Sequence, residues 1–139
     1  MPFVMERVRK FTAEHVNSFV DPLPDILEGA FGMGDTRYVT IALVEDDEPL
    51  PDCIVGHVVA GVEMYLGRSV CMVYQFEKDE SDGDWSGLNR SIQALLENWC
   101  RSIGLDEIMI MAETMSRGRL FKRFGYEPGP VLMRRKFDG

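Results

Sequence analysis

Residues 88–110 read LNRSIQALLENWCRSIGLDEIMI, a helix and a strand written end to end. Leu88, Ile92, Leu95, Leu96, Trp99 and Ile103 fall at i, i+4, i+7, i+8, i+11 and i+15, the recurrence of one helical face. Ser86 stands where an N-cap belongs, and Gly104 where a helix ends in left-handed backbone. Ile108–Ala112 is then apolar at every position, hence on both faces, as a buried parallel strand is.

Upstream, three segments read as an antiparallel meander. Tyr38–Val44 alternates with period two, placing Val39, Ile41 and Leu43 on one face. The acidic segment Glu45–Asp52 is a hairpin loop leading into a long strand, Cys53–Leu66. Gly56 and Gly61 inside that strand mark bulges or a close backbone approach. After a turn at Gly67 comes Arg68–Glu77, where Val70, Met72, Tyr74 and Phe76 alternate with Ser69, Cys71, Val73, Gln75 and Glu77. The spacing predicts that strand 108–112 lies beside strand 68–77, joined to it through helix 86–103.

Toward the N-terminus, Phe3–Val8 reads as a first strand and Thr12 as the cap of a helix running to Val20. A second helix carries Leu23, Ile26, Leu27 and Phe31, with Asp21 as cap, Pro22 in the first turn and Pro24 delaying the start. Toward the C-terminus, a basic helix from Ser116 to Phe124 buries Leu120, Phe121 and Phe124, and Val131–Phe137 is a closing strand. The predicted order is β-α-α-β-β-β-α-β-α-β. That is an α+β chain with a mixed, mostly antiparallel sheet in one domain, residues 1–139.

Composition narrows the classes. A chain of 139 residues is about one domain long, and 45% hydrophobic with 27% charged residues is an ordinary balance for a folded one. No apolar run reaches the ~20 residues of a membrane span. The opening MPFVMERVRKF has no apolar run after its charges, so a cytoplasmic protein is expected. Cys53, Cys71 and Cys100 are odd in number and widely spaced, which suits buried thiols rather than a disulfide framework or a zinc site; no metal is expected.

A net charge of −8 argues against nucleic acid as a partner. The charge is unevenly placed: residues 45–84 hold eleven acids against Arg68 and Lys78, and residues 117–136 hold seven bases against Glu127. This gives either two solvated surfaces or an anionic and a cationic face. A protein partner or self-association is expected, and no membrane.

RLFKRFGYEPGPVLMRRKF, residues 119–137, resembles the last helix and closing strand of the GNAT N-acyltransferases, whose helix ends lY-x-x-x-G-F/Y. Residues 88–110 resemble that family's third helix and fifth strand, with ALLE at 94–97 in the family's cadence. The resemblance extends loosely over the whole chain and most strongly over 53–137. It implies an acetyl-CoA site in which backbone N–H groups of a glycine-rich loop, R/Q-x-x-G-x-G/A, hold the pyrophosphate at a helix N-terminus.

Aligned on ALLE, only Gly87 survives from that loop. Leu88, Arg90 and Ile92 stand at or near the small positions, and Asp79, Glu80, Asp82 and Asp84 add like charge along the approach. The resemblance leaves Gly87 and Arg90 as cofactor-binding residues, with Arg117 and Arg119 from the next helix offsetting the acids. The family's proton-donating tyrosine is replaced by Phe121, better read as core, and the asparagine seven residues earlier by Thr114. Tyr74 and Tyr126 lie off the family position.

Glu77, at the end of its strand, is the candidate general base, set against a merely solvated carboxylate; Gln75 shares its face. His57 and Glu63 share a face of the preceding strand, and His57 reads first as a hydrogen-bonded core residue. Two functions follow. In one, the fold keeps no chemistry and needs no cofactor: a non-catalytic interaction or structural module, similar to those encoded by tailed phages, with host cytoplasm or virion as its place. In the other, an acetyl-CoA-dependent N-acyltransferase acts on a cationic amine drawn by the acidic region. The combined loss of glycines, asparagine and tyrosine weighs toward the first.

Overall fold

The computed structural model describes residues 2–14, 22–44, 49–50, 53–78, 85–111, 121–129, 135 and 137. The elements are α1 (Pro2–Glu14), α2 (Leu23–Gly32), β1 (Tyr38–Val44), β2 (Ile54–Tyr65), β3 (Arg68–Lys78), α3 (Trp85–Ser102) and β4 (Ile108–Ile110).

The N-terminal segment corrects the sequence reading, because residues 3–8 are helical rather than a strand. Val4, Met5, Val8 and Phe11 recur at helical spacing and are all buried, so a 3.6-residue period outweighs a short apparent alternation. Thr12 therefore lies inside α1 and caps nothing; its hydroxyl donates to the Val8 carbonyl at 2.8 Å. The rest of the helix predicted as far as Val20 falls on residues outside the described ones. α2 forms, but Pro22 rather than Asp21 stands at its N-cap and Ile26 is exposed while Ala30 is buried with Leu23 and Leu27; Pro24 does not delay it, since a first-turn proline gives up no intrahelical bond.

The sheet runs β1-β2-β3-β4, antiparallel except for the last pair. β4 lies parallel to β3, with Cys71 opposite Ile108 and Val73 opposite Ile110, as the sequence predicted. Two bulges interrupt the ladders. Leu43 pairs with Gly56 but Val44 with Ile54, which leaves Val55 extra beside Gly56. Val59 pairs with Gln75 but Ala60 with Val73, which leaves Tyr74 extra on β3. The second bulge resets the alternation. Phe76 joins Cys71 and Val73 on the α3 side rather than Val70 and Met72.

Helices cover both faces. On one, α3 and Phe121 pack over Leu43, Val58, Ala60, Cys71, Val73 and Phe76. On the other, α1 and α2 pack over Ile54 and Val59. The buried line of α3 is Asn89, Ile92, Leu96 and Cys100, with Trp99 half-buried, while Leu95 is 54% exposed. Leu95 was expected in the core with Trp99, Ile110 and Phe121. Asn89 and Cys100, left out of an apolar count, turn the buried line away from it.

α3 begins at Trp85, one residue before the predicted cap, and Gly104 ends it at φ +81°. Gly125 stops the last helical turn at φ +87°. Residues 116–120 of the basic helix and most of the predicted closing strand lie outside the described residues. No helix among the described residues is long and apolar enough to cross a membrane.

Candidate active site

The described pairing of β3 with β4 runs to Val73, whose carbonyl accepts a bond from Met111 N–H at 3.2 Å. The Tyr74 bulge follows directly on β3. α3 starts from this end of the sheet. Beyond the bulge, Phe76 faces α3, whereas Gln75 and Glu77 face α1.

On the α1 side a directional chain of hydrogen bonds crosses the core. His57 and Gln75 are buried, and the Gln75 side-chain amide donates to Thr12 Oγ1 at 2.8 Å. That turns Gln75 Oε1 toward His57, so His57 Nε2 donates to it at 2.9 Å. His57 Nδ1 then faces Glu77 Oε2 at 3.6 Å, while Glu77 Oε1 lies 3.8 Å from Arg7 Nη2. Arg7 is anchored in turn by donating to the Ile54 carbonyl at 3.1 Å. Phe11 closes the site edge-on against the imidazole, 5.7 Å between centroids.

Glu77 is thus not a freely solvated strand end. Its side chain is 23% exposed and stands between a guanidinium and an imidazole. A proton arriving on a carboxylate so placed lies beside a ring nitrogen that can share it.

The other predicted residues are distributed less favourably. Gly87 lies in the first turn of α3, and Arg90 is exposed in the second, so both occupy the helix end that carries positive partial charge. Arg117, Arg119, Thr114 and the acids at 79, 80, 82 and 84 lie outside the described residues. Glu63 shares a face with His57 but accepts the Tyr74 hydroxyl instead. Burial, reinforced by that bond to Glu63, pushes the Tyr74 phenol well above its usual range. Burial does the same to Tyr126, whose hydroxyl donates to Gln93 Oε1 at 2.5 Å. Phe121 is core, edge-on to both Phe76 and Tyr126.

Arg7 escaped the sequence reading because its segment was taken for a strand. Asn89 escaped because it is polar, although its spacing from Ile92 and Leu96 places it on the buried line. Asn89 Oδ1 accepts from Gln93 Nε2 at 3.3 Å, yet its Nδ2, fully buried, has no acceptor among the described residues. Leaving such a donor unmet costs about 1–3 kcal/mol. A cavity of about 320 Å³ between Arg37, Val62, Ser69 and Leu105 lies at the opposite end of the sheet, and the only ionisable group lining it, Arg37, is taken up by Asp35.

No family model and no curated protein matches the chain. Solved structures do. The aminoglycoside N-acetyltransferase AAC(6')-Iy, in complex with a bisubstrate analogue of CoA and acetylneamine, superimposes with a TM-score of 0.68 at 15% identity, covering 96% of this chain and 92% of that one. The fold is that of the GNAT acetyltransferases. An acetyltransferase from Trypanosoma brucei matches at TM-score 0.66 and 18% identity, over 98% of this chain and 92% of its own. A probable acetyltransferase matches at 0.67 and 9%, over 99% and 90%. The likeness rests on architecture: an antiparallel meander with a parallel last strand and helices on both faces, at identities where few side chains are shared.

Proposed function

We propose that this chain is an acyl-CoA-dependent N-acyltransferase acting on a cationic amine, with Glu77 as its general base. The observation that carries the reading is the placing of Glu77, near the end of β3 and held between Arg7 and His57. Acetyl-CoA supplies the acetyl group as a thioester. Gly87 and Arg90 at the start of α3, with Arg117 and Arg119, would hold its diphosphate. Glu77 takes the proton from the substrate ammonium, Arg7 orients the carboxylate, and His57 shares the proton afterwards. Acidic residues of 45–84 raise the local concentration of a cationic substrate. With Phe121 apolar and both nearby tyrosines engaged, the thiolate takes its proton from water.

A second reading keeps the fold without the chemistry: an interaction or structural module of the kind found in tailed phages, in host cytoplasm or virion, joined to a partner or another copy through basic residues 117–136. What favours it is Phe121, an apolar ring locked in the core at the position where the family resemblance expects a proton-donating tyrosine. Calorimetric titration with acetyl-CoA, followed by thiol release in the presence of polyamines and aminoglycosides, separates the two. Saturable binding with turnover that Glu77→Gln reduces supports the enzyme. Absence of both, together with salt-sensitive association in sedimentation, supports the module.

A further inference from the structure

We propose that Glu63, with the rings of Tyr38 and Tyr74, forms a surface subsite for an alkylammonium group, separate from the acyl-transfer chemistry above and needing no CoA. Three strands supply it. Val59 packs into the α1–α2 core, and Gly61 and Glu63 follow at period two on the same face of β2. Tyr38 on β1 stands opposite Gly61, and Tyr74 is the bulged residue of β3. Glu63 lies six positions along β2 from His57, the partner of Glu77, which is about 20 Å at the rise of a strand. The two carboxylates therefore do not share one ligand nitrogen.

Two observations converge on a cation. The first is the setting of the rings. A Cβ on Gly61 would come within 2.7 Å of Tyr38 and 3.0 Å of Tyr74, so both rings close over bare backbone. A glycine inside a strand weakens it and marks a place where another group approaches closely. Both rings pack against the α1–α2 core, as do Phe31 and Met111, yet stay half-exposed. The face of such a ring attracts a cation.

The second is a carboxylate with no countercharge. Glu63 is exposed and accepts the Tyr74 hydroxyl, which burial keeps protonated and therefore a donor. No cation among the described residues pairs with Glu63. Directly across from it on β3, where a sheet gains from a balancing base, stands Val70. Arg37, the neighbour of Tyr38, is held by Asp35 at 2.7 Å, and Arg68 by Glu107 at 3.2 Å. An alkylammonium supplies what is missing: its N–H groups donate to Glu63, and its methylenes lie against the rings. The Tyr74 hydroxyl holds the carboxylate in place before the ligand arrives.

The test is a nuclear magnetic resonance titration with spermidine, read at the backbone amide of Gly61 beneath the rings. The diol 1,8-octanediol, of similar length and uncharged, is the control. Wild type should give a saturable Gly61 shift with spermidine and none with the diol. Glu63→Gln keeps an acceptor for Tyr74 and loses the charge, so spermidine should bind about tenfold more weakly or worse. Tyr38→Leu should weaken binding about fivefold, whereas Tyr74→Phe, which keeps its ring, should stay within about threefold of wild type. Glu63→Gln is an exposed change, so it decides the matter even if a ring variant fails to fold. Equal shifts with spermidine and the diol would leave only an apolar patch and overturn the proposal. So would unchanged affinity in Glu63→Gln, the mark of a diffuse acidic surface, or a wild type without a saturable shift. None of these outcomes touches the CoA titration above, because no CoA is present.

Discussion

His57 and Glu77 stand directly opposite each other in the β2–β3 ladder, with Nδ1 of one 3.6 Å from Oε2 of the other. The register that builds the sheet thus also builds the carboxylate's surroundings: His57 comes from β2, and α1 lays Arg7 across the open side. Glu77→Gln preserves shape and removes the base. It should lower kcat by roughly 10²–10⁴ while leaving CoA affinity within a factor of two, and it should erase the limb of the pH–rate profile on which the base gains its proton. Unchanged turnover in Glu77→Gln would assign the deprotonation to another group.

Gln75 is the hinge of the buried chain, receiving from His57 and donating to Thr12. Gln75→Leu leaves a ring nitrogen and a hydroxyl without their partner inside the core. Chemical denaturation should show a loss of about 2–4 kcal/mol, against less than about 0.5 kcal/mol for the exposed Arg90→Ala. A near-neutral Gln75→Leu would mean that water reaches the cluster.

The reassigned face of α3 gives a sharper contrast. Leu96 is fully buried and Leu95 is 54% exposed, although the two are neighbours in an apolar run. Leu96→Ala should cost about 2–5 kcal/mol and Leu95→Ala less than about 1 kcal/mol. Similar losses at both positions would place Leu95 against a surface the described residues do not supply.

What the sequence made legible was whatever local periodicity governs. β1, β3, the helix 85–102 and its parallel strand exist and follow one another where spacing put them, although the faces of β3 and of the helix are shifted from the predicted ones. What it hid was non-local. Thr12 reads as a cap until Gln75 arrives from a strand distant in sequence, and the Tyr74 bulge that resets β3 has no signature in alternating residues. Glu77 was named as the base, but its partner Arg7 was masked by a strand reading of residues 3–8. Gly87 and Arg90 came from likeness to a family pattern, and their helix-end position agrees with it without testing it.

Cys53, Cys71 and Cys100 are free and buried. Burial pushes the Cys71 and Cys100 thiols up, and thiolate is the reactive form. A thiol reagent at neutral pH should therefore modify none of the three in the folded protein and all three in denaturant, read by mass spectrometry. Modification of the native protein would expose an opening motion that reaches the sheet.

Gly61 supplies a test of the sheet itself. A Cβ there would lie 2.7 Å from a ring carbon of Tyr38 and 3.0 Å from one of Tyr74, so two aromatic side chains lie flush over bare backbone. Neither ring yields freely: Tyr38 packs against the α1–α2 core, and Tyr74 is tethered by its hydroxyl to Glu63. Gly61→Ala should therefore destabilise by about 1–3 kcal/mol, the usual cost of overpacking, although alanine favours a strand no less than glycine does. The sign depends on the rings. In a Tyr38→Ala background the nearest atoms are gone, and most of the penalty should vanish, giving a coupling of more than about 0.5 kcal/mol in the double-mutant cycle. Additive losses would mean that the strain lies in the backbone of β2 and not in the packing of Tyr38 over Gly61.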